Sequence, residues 1–410
     1  MDVKNAFLNG TLTEEVYMTI PEGVQHTRDG RAVCKLEKSL YGLKQSPRAW
    51  FEKFSSTVIS NGYHQCQTDD TMFVKHSAGN MSAILIVYVD DIIITGNDEE
   101  EIGKLKIKLG REFEIKDLGE MKYFLGMEVA RSGAGISISQ RKYVLDLLDE
   151  TGMAGCKPAD TPMQQNLQFS KETSKRQTDK GRYQQLVGKL IYLSHTRPDI
   201  TFAVSVVSQF MNEPTEEHME AVTRILRYLK KTPGLGLLFR KTDNRSVEMF
   251  TDASWASEIT SRRSTTGYCA YVWGNLVTWR SKKQSVVARS SAEAEYRALA
   301  LGIQEAMWIQ RVLKELNLPG HGKASLFSDS QSALSIVKNP VHHDRTKHVE
   351  IDRHFITEKV ETGIVEVRYA PSKQQTADVL TKALSHEHLK YFKSKLGLVN
   401  IYTKLEEECR

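Results

Sequence analysis

The chain has 410 residues, with 56 Lys and Arg against 51 Asp and Glu and a formal net charge of +5. That is length for two or three domains and a charge compatible with a polyanion partner without demanding one. With 40% hydrophobic and 26% charged residues, and no run near the roughly 18 uninterrupted apolar residues of a membrane span, no membrane partner is expected. Cys34, Cys66, Cys156, Cys269 and Cys409 form no Cys-x-x-Cys pair, which argues against a zinc site or a disulfide framework and suits a reducing compartment. The N-terminus, Met1-Asp2-Val3-Lys4, carries no basic-then-apolar signal, so an intracellular location, cytoplasmic or nuclear, is expected.

In chain order, Val33 to Trp50 leads into a helix reaching about Asn61. Two short strands follow, Ile84 to Val89 and Ile92 to Gly96, because apolar and β-branched residues flank a tight connection. That connection is Asp90-Asp91. Two adjacent carboxylates repel, and against an apolar wall they also lose hydration, so one is pushed toward protonation unless a cation is near. A hard divalent ion held by oxygens satisfies them. A solvated turn that happens to carry Asp-Asp is the alternative at this point.

A charged helix (Glu99 to Leu109) and a strand region around Tyr123 to Val129 come next, and the chain then turns polar from Cys156 to about Lys180, as a linker would. Tyr183, Leu186, Val187, Leu190 and Ile191 repeat at helical spacing. Further helices are expected from Pro198 and from Thr215 to Leu229. The last carries a basic edge, Arg224, Arg227, Lys230 and Lys231, read as a solvated face or a phosphate contact.

After the polar break Lys241 to Arg245, the expected order is β-β-β-α-β-α-α-β-α, a hairpin-led sheet finished by α/β crossovers. Asp252 and Asp329 each end a strand, where catalytic groups of open α/β sheets collect. Asp378 begins a helical segment. On the long helix, Ser290 to Glu293 reads as a capping box and Glu293 to Arg297 as an i,i+4 ion pair, which gives Glu293 a structural task. Glu295 lies along the row of Leu299 and Ile303 and is the better candidate to face the two aspartates. Converging carboxylates without a basic partner suit two divalent ions roughly 4 Å apart in phosphoryl transfer.

With these residues in place, the chain resembles the C-terminal part of a copia-type retrotransposon Pol polyprotein along essentially its whole length. Asp2-Val3-Lys4-Asn5-Ala6-Phe7-Leu8-Asn9-Gly10 resembles the first polymerase motif, and Tyr88-Val89-Asp90-Asp91 the second. The resemblance implies a metal-binding triad of Asp2, Asp90 and Asp91, with Phe7 screening the nucleotide sugar and Tyr88 among the nucleotide-binding residues. Leu40 to Trp50 resembles the motif lining template and incoming base, which implicates Gly42, Lys44 and Gln45. Phe124-Leu125-Gly126 resembles the primer grip. Thr251-Asp252-Ala253-Ser254-Trp255, Ser290 to Tyr296, Ser328-Asp329-Ser330-Gln331 and Thr376-Ala377-Asp378 resemble the four acidic motifs of ribonuclease H in order. They imply Asp252, Glu295, Asp329 and Asp378 as its ligands. Arg345, Lys347 and His348 resemble a basic stretch near the substrate. His342, His343, His348 and His354 lack accompanying cysteines, so phosphate contact or ordinary surface histidine is expected before zinc.

The implied fold class is α+β / α/β multidomain: a truncated reverse transcriptase palm with a helical thumb and connection, then a ribonuclease H-like mixed β-sheet with flanking helices. The expected domains are 1–150 (palm and start of thumb), 151–240 (linker and thumb/connection), 246–395 (ribonuclease H) and a tail at 396–410. Implied cofactors are Mg²⁺ or Mn²⁺, two ions per site. Implied partners are RNA–DNA hybrid and template-primer, with self-association or complementation by another Pol chain. Two departures stand out. The loop Pro371 to Gln375 has no histidine before the last aspartate, where many cellular ribonucleases H carry one, leaving Lys373, water or nothing to aid product release or protonate the leaving oxygen. The chain also starts one residue before Asp2, so the fingers are expected to be missing, Asp2 to sit on a frayed end, and DNA synthesis to be impaired. A non-catalytic binding or structural remnant is the alternative reading.

Overall fold

The computed structural model describes residues 1–24, 32–167, 169, 176–258, 261–320, 322–338 and 350–402. They form two compact units: Met1–Met121 with Val312–Leu318, and Lys122–Arg311 with Pro319–Arg410. No described helix is long and apolar enough to cross a membrane.

The first unit contains β1 (Asp2–Val3), β2 (Thr11–Thr19), β3 (Val33–Lys38), α1 (Ser46–Ser60), β4 (His64–Gln65), β5 (Met72–Ser77), β6 (Met81–Tyr88), β7 (Asp91–Gly96), α2 (Glu99–Glu112) and β8 (Ile115–Lys116). Six of the strands form one antiparallel sheet in the order β4-β5-β6-β7-β1-β8. Along β6, Ala83, Leu85 and Val87 are buried and their neighbours are not, the two-residue alternation of a strand with one face on a core. Facing them, α1 buries Trp50, Phe54 and Val58 at four-residue spacing, with Pro47 in its first turn where no amide partner is lost. The Asp98 carboxylate caps α2 by accepting the Glu101 amide at 3.0 Å. Leu105 and Leu109 of α2 close the same core.

The expected frayed end is not what β1 shows. Asp2 pairs with Asp91 on one side and Lys116 on the other, and Val3 is buried among Trp50, Phe54 and Leu85. An apolar residue with strand partners on both edges keeps the segment in the sheet.

The second unit runs through β9 (Tyr123–Phe124), β10 (Met127–Ser132), β11 (Gly135–Ser139), α3 (Arg141–Glu150), α4 (Lys180–Leu193), α5 (Pro198–Ser208), α6 (Glu216–Lys231), β12 (Leu235–Phe239), β13 (Val247–Ser254), β14 (Thr265–Val272), β15 (Asn275–Lys283), α7 (Ser291–Glu315), β16 (Ala324–Ser328), α8 (Gln331–Lys338), α9 (Glu350–Glu361), β17 (Val365–Tyr369), α10 (His386–Lys395) and β18 (Leu398–Asn400). It holds two five-stranded sheets, β18-β12-β11-β10-β9 and β15-β14-β13-β16-β17. In the latter, β13, β14 and β15 are antiparallel, while β16 runs parallel to β13 and β17 parallel to β16.

Two boundaries and the linker differ from the sequence reading. The break expected near 150 falls at Met121, because the hairpin β10–β11 pairs with β12 rather than with the first sheet. The expected tail is structural as far as Asn400. Leu396 and Leu398 enter the core, and β18 pairs with β12. A three-residue strand carries too little period to read from sequence. The polar linker is also partly anchored. The Arg224 guanidinium donates to Thr161 Oγ1 at 2.9 Å, Arg227 Nε donates to the Lys157 carbonyl at 2.7 Å, and Lys231 pairs with Asp160. Arg224, Arg227 and Lys231 of the basic edge of α6 therefore grip their own chain instead of standing as a free solvated face.

Candidate active site

Asp252 and Asp329 come together through register. Glu248 of β13 pairs with Ser325 of β16, and each aspartate lies four residues further along its own strand direction. Parallel pairing thus sets the two acids side by side at the carboxyl ends. The helix α7 brings Glu295 to them, and its Oε1 accepts the Ala253 amide at 3.1 Å. Gly302 permits this approach: a Cβ there would lie 2.5 Å from Thr251 Cγ2. Ligand oxygens of Asp252, Glu295 and Asp329 all fall within 4.8 Å of one another, the only such trio among the described residues.

Glu293 does its structural work nearby, accepting the Arg289 amide at 2.8 Å and pairing with Arg297 at 3.1 Å. Asp378 is buried at the start of a 3₁₀ turn, Thr376–Leu380, and pairs with Lys382 Nζ at 2.8 Å. It borders the trio without joining it at ligand distance.

Residues that sequence reasoning missed hold this arrangement. The fully buried Gln375 donates to the Thr251 carbonyl at 2.9 Å and ties the last turn to β13. Thr381 Oγ1 donates to Asp252 Oδ2, and Ser372 Oγ donates to Asp329 Oδ2 at 2.6 Å. Gly267, opposite Asp252, lets that turn lie on β14, since a Cβ would meet Thr381 Cγ2 at 2.7 Å. Thr381 and Lys382 lie three and four residues after Asp378, a helical spacing that would have signalled them.

Burial governs the electrostatics. It pushes the Glu295 carboxyl up to about 9, with Asp252 and Asp329 adding to the effect and the Ala253 amide opposing it. It pushes Asp378 up to about 7, with Asp252 raising it and Lys382 lowering it. Asp252 is also raised, chiefly by burial and against the pull of Lys382 and Thr381. Burial alone would lower Lys382, but Asp252 and Asp378 outweigh it and hold the ammonium raised. Glu295 Oε2 is buried with no hydrogen-bond donor. An orphan carboxylate oxygen within an all-oxygen set fits a hard divalent cation.

The second acidic group is more open. Asp2 and Asp91 face each other across β1 and β7, and Asp90 lies exposed on the hairpin. Burial raises the Asp91 carboxyl, with Asp90 and Asp2 contributing. The hairpin holds Val89 at φ 54°, unfavourable for a β-branched residue. Trp50 Nε1 donates to the Val89 carbonyl at 2.7 Å and fixes the turn from α1. Phe7 packs against Tyr41 with ring centroids 4.9 Å apart. Gly42 takes φ 93°, Lys44 is exposed, Gln45 precedes α1, and Tyr88 is half exposed.

Leu125 and Gly126 form the β9–β10 turn, both at positive φ. Lys373 is exposed on its 3₁₀ turn. Arg345, Lys347 and His348, together with His342, His343 and Cys409, lie outside the described residues.

A family model described as reverse transcriptase (RNA-dependent DNA polymerase) matches residues 1–165. The retrovirus-related Pol polyprotein from transposon RE1 of Arabidopsis thaliana is 42% identical over 98% of this chain, which spans 27% of that polyprotein. The putative transposon Ty5-1 protein YCL074W of Saccharomyces cerevisiae is 33% identical, and the match takes in 72% of this chain and 97% of that one. The chain belongs to the copia-type retrotransposon Pol family. It spans 27–30% of the length of the plant Pol polyproteins it matches. Among solved structures, the N-terminal RNase H domain of Rv2228c from Mycobacterium tuberculosis covers 37% of this Pol chain at 14% identity, with a TM-score of 0.26.

Proposed function

We propose that this Pol chain hydrolyses the RNA strand of RNA–DNA hybrids with Mg²⁺ or Mn²⁺ held by Asp252, Glu295 and Asp329, with Asp378 serving a second ion. The convergence of the three carboxylates, with one buried oxygen lacking any donor, carries the reading. Divalent ions, when bound, supply charge stabilisation for phosphoryl transfer. The residues of the chain set the stage for them. Ser372 and Thr381 orient Asp329 and Asp252 through hydroxyl donors. Glu295 Oε1 is engaged by the Ala253 amide, which leaves the buried Oε2 as the oxygen that would face an ion, while burial beside Asp252 raises this carboxyl to about 9. Hybrid recognition is by shape, phosphate and 2′-hydroxyl, with affinity falling as salt rises.

Asp2, Asp90 and Asp91 are the proposed metal ligands of a polymerase site, with Phe7, Gly42, Lys44, Gln45 and Tyr88 around nucleotide and template and Leu125-Gly126 as primer grip. The family match over residues 1–165 favours this second reading. The test of the first is cleavage of a labelled hybrid by the purified chain in Mg²⁺ beside its Asp329→Asn variant. Cleavage by the parent and a loss of at least roughly a hundredfold in the variant are expected. Equal cleavage by both would assign the activity to something other than this cluster.

A further inference from the structure

We infer that Lys382 is a positioning residue built into the acidic cluster as a resident cation, competing with divalent ions for Asp378 and setting how tightly they are held. The inference rests on the ribonuclease H reading of the cluster and goes beyond it, because no ligand role in that reading belongs to a lysine.

The sequence pattern is Asp378-Val379-Leu380-Thr381-Lys382. The main chain fixes its geometry: the amides of Thr381 and Lys382 both donate to the Asp378 carbonyl, at 3.3 and 3.2 Å. One turn therefore delivers three groups in a set arrangement. They are the Asp378 carboxylate, the Thr381 hydroxyl donating to Asp252, and the Lys382 ammonium 2.8 Å from Asp378 Oδ1. Gly267 and the buried Gln375 hold that turn against β13 and β14, so the core fixes the backbone from which the partly exposed Lys382 side chain reaches Asp378.

Its field also reaches Asp252 and Asp329. Lys382 is the cation that acts on three of the four acids at once, while the Glu293–Arg297 pair is spent on the helix start. A plain helix-type ion pair would be a surface tie of little consequence. Two features point past that. Asp378 is nine-tenths buried, and its partner charge lies beside a trio of carboxylate oxygens that has no other ammonium or guanidinium among the described ion pairs. A positive charge paired with Asp378 next to such a trio weakens the hold on an incoming cation, since like charges repel, the more so where one partner carboxylate is buried. It also steadies Asp252, Asp329 and Asp378 when no cation is bound.

The test uses the full chain and Mg²⁺ alone, by isothermal titration calorimetry on the parent, Lys382→Met, Lys382→Gln and Lys382→Arg. Loss of the ammonium is expected to tighten Mg²⁺ binding by roughly five- to tenfold in the Met and Gln variants. The Arg variant should stay within about twofold of the parent, because the charge is retained. In hybrid cleavage, the Mg²⁺ concentration giving half-maximal rate should fall by the same factor. Unchanged or weaker Mg²⁺ binding in a folded Met or Gln variant would overturn the inference and leave Lys382 a structural tie. A parent that binds Mg²⁺ with this charge dependence yet never cleaves hybrid would sink the ribonuclease reading alone.

Discussion

The two acidic groups of this chain solve the same electrostatic problem in opposite ways. Asp2 and Asp91, both partly exposed, sit across a pair of antiparallel strands, with Asp90 exposed on the turn. Asp252, Glu295 and Asp378 are each under a tenth exposed, and Asp329 is partly so. Hydration is denied to them, so the protein supplies a proton on Glu295, hydroxyl donors on Asp252 and Asp329, and an ammonium on Asp378. A buried cluster has its geometry settled before any ion arrives, whereas an exposed one depends on its backbone frame. That frame is visible in the Trp50 bond to Val89 and in the two-sided pairing of β1.

The sharpest way to probe this contrast is to remove charge from the buried group. Glu295 has a folded-state pKa near 9 against an ordinary value of 4.5. Between those limits the folded state binds more protons than the unfolded one, so metal-free stability declines as pH rises from about 4.5 toward 9. The neutral Glu295→Gln variant escapes that loss. In EDTA at pH 8 its second unit should melt higher than the parent by roughly 2–6 °C, with the gap closing toward pH 5. Added Mg²⁺ should raise the parent's melting temperature and leave the variant's nearly unchanged. A pH-independent difference would contradict the burial argument.

A smaller effect is expected at the exposed group. Trp50→Phe removes the donor to Val89 and should cost the first unit about 0.5–1.5 kcal/mol, read by chemical denaturation. Hybrid cleavage should be unaffected. A matching loss of cleavage would mean that the two groups are not independent.

Much of the C-terminal sheet was legible in the sequence. The strands carrying Asp252 and preceding Asp329 announced themselves by β-branched and apolar runs, although β13 continues two residues past Asp252 to Ser254, and the choice of Glu295 over Glu293 followed from helical spacing. The supports were harder to see. Gln375 is an ordinary residue whose importance arises from a contact 124 residues away, which no local pattern encodes, and Thr381, bonded across 129 residues, had only its spacing from Asp378 as a signal. The same holds for Arg197, fully buried with Asp199 and bonded to Thr232, with Tyr228 donating to the same carboxylate at 2.5 Å. Its charge argued for a surface position, and only the tertiary partners make burial tolerable. Lys382 is legible only through its spacing from Asp378, and a lysine four residues after an aspartate reads first as a surface ion pair.

The central claim, that Asp252, Glu295 and Asp329 jointly hold a divalent cation, is tested most directly by anomalous diffraction from crystals of the full chain soaked in Mn²⁺. The account predicts an anomalous peak within about 2.0–2.6 Å of carboxylate oxygens from all three residues. Manganese found elsewhere in the chain, with no peak among these three carboxylates, would contradict it.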